Sequence, residues 1–167
     1  MANNCYFSMK VNGSKENREA WIRKMTDYEE PDYFHRIFTV DVYDDDEEST
    51  YIKGDCAWSI ETCCRESGYS GGVDLLAKNT KDLVLDVEIW SEEPGLAFQE
   101  HYIYKKGKCE ADECVEFHEY YWDTSEYPTF EEYNKEEWDG ECPAAEEDFD
   151  DGQARVGGFE GYCNWNI

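Results

Sequence analysis

Apolar and polar residues alternate most regularly between positions 82 and 107, DLVLDVEIWSEEPGLAFQEHYIYKKG. Leu83, Leu85, Val87 and Ile89 alternate with Asp82, Asp86 and Glu88, the two-residue period of a half-buried strand. Residues 91–95, Ser-Glu-Glu-Pro-Gly, carry a Pro-Gly turn signal. Residues 96–104 are rich in aromatics (Phe98, Tyr102, Tyr104), which suits a pleated surface. The pattern predicts a long hairpin at the centre of the fold.

The flanking elements follow from the same periods. Residues 4–11 predict a first strand, closed by Asn12-Gly13. Ser14 predicts the cap of a helix over Lys15–Thr26, where Trp21 and Met25 share a face. Residues 34–43 read as a second strand and 51–58 as a third, separated by the acidic run Asp44–Glu48, which reads as a solvated loop. Ser59 predicts the cap of a short helix with Ile60, Cys63 and Cys64 inward, ended at Ser67-Gly68; Val73, Leu76 and Ala77 show helical spacing. Residues 109–122 predict a further strand, or a strand and a turn. Thr129 and Glu132 form a capping box ahead of a helix over 130–138, which Gly140 is placed to end. Residues 141–152 read as a long acidic loop, and the alternation of Phe159, Gly161, Cys163, Trp165 and Ile167 predicts a terminal strand returning to the core. Strands and helices interleave around an antiparallel hairpin. The expected class is α+β, a mainly antiparallel sheet with helices packed on one face, in one domain.

Composition narrows the function. The chain has 167 residues with a net charge of −26, from 41 acidic and 15 basic side chains. Such a field repels nucleic acid and anionic membrane, so the partner expected is a basic macromolecule. No apolar run approaches a membrane span, and residues 1–13 lack a signal-peptide pattern; a cytoplasmic protein is expected. In that compartment the eight cysteines are expected as reduced thiols.

The opening MANNCYFSMKVNG, the GDCAWS segment at 54–59 and the SEEPGLAFQEHYIYKKG hairpin together resemble the YubB-type ferredoxin-like family of small phage- and plasmid-borne proteins, over roughly residues 1–122. The resemblance implies a ferredoxin-like sheet and a mobile-element origin. It carries no catalytic motif, and the acidic segment after Trp122 departs from it.

Candidate chemistry is sparse. Cys109, Cys114 and His118 have ligand types that suit Zn²⁺, but as strand residues five apart the two cysteines are expected on opposite faces. Asp148, Asp150, Asp151 and Gly152 do not meet the calcium-loop register. Glu100 and His101 are adjacent on a predicted strand, so their side chains are expected to leave opposite faces. No GxSxG, phosphate loop, dinucleotide fingerprint or HExxH occurs. The expectation is a protein without catalysis and without a cofactor.

The acidic surface is the strongest lead. Residues 109–152 hold 18 Asp and Glu against the single Lys135. Carboxylates at Asp112, Glu113, Glu116, Glu119, Asp123, Glu126, Glu131, Glu132, Glu136 and Glu137 are the expected partner contacts, with Tyr121 and Trp122 as aromatic anchors. With the mobile-element resemblance, this predicts an inhibitor, of anti-CRISPR or anti-restriction type, that occludes the nucleic-acid site of a basic host defence protein. The alternative is a small non-catalytic structural or zinc-binding accessory protein, with zinc at Cys109, Cys114 and His118.

Overall fold

A computed structural model describes residues 3–65, 70–163 and 165. The first strand, β1 (Asn4–Asn12), alternates as its sequence demands, with Cys5, Phe7, Met9 and Val11 buried. The helix α1 (Lys15–Thr26) starts where Ser14 Oγ accepts the Asn17 amide at 3.3 Å, and it buries Trp21 and Met25. Phe34, expected inside the second strand, instead plugs the core before it, edge-on to Trp21 at 4.8 Å. The strand β2 (Ile37–Asp45) follows and pairs with β3 (Ser49–Ala57).

The acidic turn between β2 and β3 is exposed, but it is ordered by a buried cation. Arg18, only 2% exposed, donates from Nε to Gly13 O and from Nη1 to Asp45 Oδ1 (2.6 Å) and Thr50 Oγ1. Its Nη2 donates to the carbonyls of Asp46 and Glu47. Asp46 Oδ1 also accepts the Glu48 and Ser49 amides at 2.8 and 2.7 Å. Run-of-charge patterning gives no sign of this, because Arg18 lies 27 residues before Asp45.

After β3, Ser59 Oγ accepts the Thr62 amide at 3.0 Å and opens a π-helical turn, Glu61–Arg65, with Ile60, Cys63 and Cys64 buried as expected. The expected stop at Ser67-Gly68 lies outside the described residues. The helix α2 (Leu75–Asp82) is capped by Asp74, whose Oδ1 accepts the Ala77 amide. It claims Asp82, so the central hairpin begins later than its alternation suggests: β4 is Asp86–Glu93 and β5 is Phe98–Lys105. The turn between them is tied by Glu93, whose carboxylate accepts the Gly95 amide at 2.9 Å and also the Leu96 amide.

The 14-residue β6 (Lys108–Tyr121) pairs with β5 over its first part and, over its last, with β7 (Gln153–Gly157). The helix α3 (Phe130–Trp138) carries both hydrogen bonds of the Thr129–Glu132 capping box and ends with Asp139 left-handed ahead of Gly140. The stretch expected as a loop over 141–152 contains a short 3₁₀ turn (Glu146–Asp148) and buries Ala144. The terminal strand is misplaced by the sequence pattern. Strand structure lies at 153–157, whereas residues 158–163 turn across the sheet; 164, 166 and 167 lie outside the described residues.

The seven strands form one antiparallel sheet in the order β2-β3-β1-β4-β5-β6-β7. The fold is α+β. Inward residues of β1, β3, β4 and β5 meet α1, the π-helical turn and α2 in the main core. The opposite face carries Trp90 stacked on His101 (3.6 Å between centroids, 14° between planes), with Phe159 and Tyr162 edge-on to Trp90 at 5.4 Å each. The Phe159 amide donates to Gln99 Oε1 at 2.8 Å, which holds the terminal segment on this face.

Candidate protein-docking surface

The expected contact residues follow β6, the loop after it and α3, and the structure sorts them into three groups. The first group is paired. Asp112 receives Arg65 Nη1 at 2.7 Å, in a network where Arg65 Nε also donates to Tyr104 Oη. Glu113 lies 3.6 Å from His101 Nδ1, whose Nε2 contacts Glu88 at 3.0 Å. Glu119 receives Arg155 Nη2 at 2.7 Å, which holds its carboxyl below the ordinary range. Sequence reasoning missed Arg155, which also forks onto Glu92 at 2.9 and 3.1 Å from 63 residues away.

The second group is exposed and makes no ion pair among the described residues: Glu116 on β6, and Glu131, Glu132 and Glu136 on α3. Glu132 commits one carboxylate oxygen to the Thr129 amide in the capping box. The three acids on α3 point outward because the helix uses its other face, through Tyr133, for packing.

The third group converges. Glu119, Tyr121, Asp123, Glu126 and Glu137 line one recess of about 370 Å³, whose walls also include Tyr120, Tyr127, Tyr133 and Trp138. Asp123 Oδ1 accepts the Ser125 amide at 2.8 Å and the Ser125 hydroxyl, which lowers its pKa and holds the loop. Tyr127 donates its hydroxyl to Glu137, and that bond pushes the phenol up to about 12. Tyr121, 61% exposed, donates to Glu119 at 3.1 Å.

Trp122 does not stand out as a surface anchor. Its Nε1 donates to Tyr127 O at 2.8 Å, and its rings pack among Phe130, Tyr133 and Phe149 at 5.7–6.1 Å. It belongs to a small second core that seats α3 against the end of β6. A tryptophan has too much apolar surface to leave exposed where three other rings are in reach. Tyr121, in contrast, is exposed at the surface.

The zinc alternative needs one correction. A bulge shifts the β5–β6 register at Ile103/Tyr104, so that Cys109 pairs with Tyr104 and Cys114 with Glu100. The extra residue puts the two cysteines on the same face rather than opposite ones. They remain four strand positions apart, roughly 13 Å at the usual strand rise. Among the described residues no group of three or more His, Cys, Asp and Glu could hold a metal ion. All eight cysteines are free thiols, and Cys5, Cys56, Cys63 and Cys64 are buried in the main core.

Glu100 and His101 do leave opposite faces. Glu100 is 2% exposed and engages both carboxylate oxygens with Ile60 N, Glu61 N, Ser91 Oγ and Tyr102 Oη. Both of its oxygens are committed within the core. Among the described residues no helix is long and apolar enough to cross a membrane. No protein-family model, no curated protein and no solved structure matches the chain.

Proposed function

We propose that this protein binds a basic, nucleic-acid-handling host protein, of the kind targeted by anti-CRISPR or anti-restriction factors, and occludes its nucleic-acid site. The observation that carries the reading is the run of exposed carboxylates along β6, the following loop and α3, where 18 acids face a single lysine between 109 and 152. Duplex DNA presents roughly one phosphate charge per 1.7 Å of axis. Carboxylates held on a rigid strand and helix offer a basic groove a comparable field without being a substrate. Aromatic side chains among them supply the apolar contact that phosphates lack.

The frame suits such a role. The succession β1-α1-β2-β3-α2-β4, with spatial order β2-β3-β1-β4, supports a ferredoxin-like reading of residues 4–93. In that reading β5, β6, β7 and α3 extend one edge of the sheet and carry the acidic surface outward. The resemblance to YubB-type proteins adds a reason: mobile elements gain from blocking host nucleases. The same reading places the protein in the bacterial cytoplasm, with no direct nucleic-acid or membrane partner.

The test is a pull-down from bacterial lysate eluted in steps of rising salt. A basic nuclease or CRISPR component that leaves at moderate salt, and that its own DNA or RNA displaces, supports the reading. A bare resin at low salt, from folded protein, returns the acidity to solubility alone.

A further inference from the structure

The recess at the junction of β6 and α3 differs from the rest of the acidic surface because rings wall it. Tyr120 and Trp138 meet edge to face at 5.2 Å, and Tyr127 lines the same recess with its hydroxyl on Glu137. Its volume of about 370 Å³ lies at the lower end of the roughly 300–1,000 Å³ of ligand clefts. Glu126 and Glu137 supply carboxylates at its rim, and no lysine or arginine is among its lining residues. Arg155 neutralises Glu119 from the neighbouring strand and Ser125 occupies Asp123 Oδ1, so Glu126, Glu137 and Asp123 Oδ2 are the acidic groups left for a visitor.

The chain itself shows what such a setting holds. On β7, the Arg155 guanidinium lies 4.1 Å from the Phe117 ring centroid while it bonds the carboxylates of Glu92 and Glu119. A guanidinium lays a flat face on a ring while its N–H groups fork in the same plane toward carboxylates, a planar geometry that a compact ammonium lacks. The recess repeats these components, rings with carboxylates, and is open to solvent.

We propose that the recess between β6 and α3 is a binding site for a guanidinium group, the side chain of an arginine presented by a basic partner. This rests on the reading of the acidic surface as a docking face and names its central contact. Tyr127 gives the pocket a fixed donor that orients Glu137, and Trp138 with Tyr120 gives the guanidinium plane a wall.

The test is a titration of the full chain with acetyl-arginine amide, followed through the Trp138 indole N–H resonance, assigned with Trp138→Phe. Acetyl-citrulline amide, the same shape without the charge, is the control titrant. The expected result is a saturable Trp138 shift with the arginine compound only. Glu126→Gln with Glu137→Gln should weaken it about tenfold. Glu131→Gln with Glu136→Gln removes the same charge from α3 outside the recess and should change affinity less than about twofold. Equal response to citrulline, equal weakening by the two double variants, or an unmoved Trp138 resonance overturns the site. Arginine binding here with an empty lysate pull-down would remove the host-partner reading and keep the site. A captured nuclease with an unmoved Trp138 would do the reverse.

Discussion

The Glu100 carboxylate accepts the Ile60 amide at 2.8 Å, across 40 residues of sequence. Its other oxygen accepts the Glu61 amide at 3.1 Å, so one buried acid closes the start of the π-helical turn against β5. Ser91 and Tyr102 add hydroxyl donors at 2.6 and 3.0 Å, and Cys5 Sγ lies 3.9 Å away. A carboxylate in a core is tolerated when its lone pairs are met this fully.

Removing that acceptor strands several donors. Glu100→Ala should cost about 3 kcal/mol or more, because each buried unmet donor costs roughly 1–3 kcal/mol. Glu100→Gln keeps the shape but turns one oxygen into a donor facing donors, and should cost about 2 kcal/mol. Urea unfolding measures both. A loss under about 1 kcal/mol for the alanine variant would show that Glu100 is not a structural acid.

Arg18 makes the same kind of link at the other end of the sheet, with five acceptors around one 2%-exposed guanidinium. Arg18→Ala should destabilise by about 3 kcal/mol. Arg18→Lys keeps the charge but cannot reach the Asp46 and Glu47 carbonyls together with Asp45 and Thr50. It should therefore recover less than half of the loss. Full recovery by lysine would mean that charge alone orders the β2–β3 turn.

Gly54 is a packing requirement of the sheet. A Cβ at that position would lie 2.1 Å from Thr39 O and 2.6 Å from Phe7 Cζ. The carbonyl belongs to the neighbouring strand, beside the bulge at Phe38, and cannot swing away. Gly54→Ala should cost about 1–3 kcal/mol, with a lowered urea midpoint and an unchanged m-value. A neutral result would mean that the edge strand β2 detaches freely.

Stability should depend on pH in two opposing ways. At a charge of −26, self-repulsion opposes the compact state, so partial protonation or added salt relieves it. Four carboxyls oppose that trend in acid, because each is held below its ordinary value. The Glu48 amide lowers Asp46, Lys78 lowers Asp82, Arg155 lowers Glu119 and the Ser125 hydroxyl lowers Asp123. A group with a depressed folded pKa contributes stability above its unfolded pKa and loses it as pH falls through the folded one. The melting temperature should rise on acidification from pH 8 toward about 5.5 and fall below about 4. Added salt should raise it most at pH 8. A melting temperature that climbs steadily from pH 5 to 8 would mean that repulsion does not dominate the pH dependence.

Partner association should show the same charge dependence in its rate. Neutralising Glu131, Glu132, Glu136 and Glu137 together should slow binding to the captured partner about tenfold at low salt and flatten its salt dependence. Stopped-flow or surface-plasmon kinetics at two ionic strengths reads this. An unchanged association rate would move the contact away from α3.

The sequence by itself determined the elements whose information is local. Ser14 and Thr129 mark helix starts because a hydroxyl satisfies an amide three residues away, and Lys15–Thr26 and Phe130–Trp138 both follow. The alternation through Val87 and Ile89 reveals β4 because neighbouring side chains on a strand must take opposite faces. The concentration of acids between 109 and 152 is equally plain from composition. Only the tertiary structure decided the rest. Arg18 and Glu100 look like surface charges until their partners, 27 to 40 residues away, surround them. The bulge in β6 realigned Cys109 and Cys114, and the pairing with β7 took the strand that alternation assigns to the terminus. Of the acids expected at one interface, the fold brought Glu119, Asp123, Glu126 and Glu137 around a ring-lined recess and gave Asp112 to Arg65. Charge is additive along a chain and can be read there, whereas burial and pairing depend on which distant segments meet.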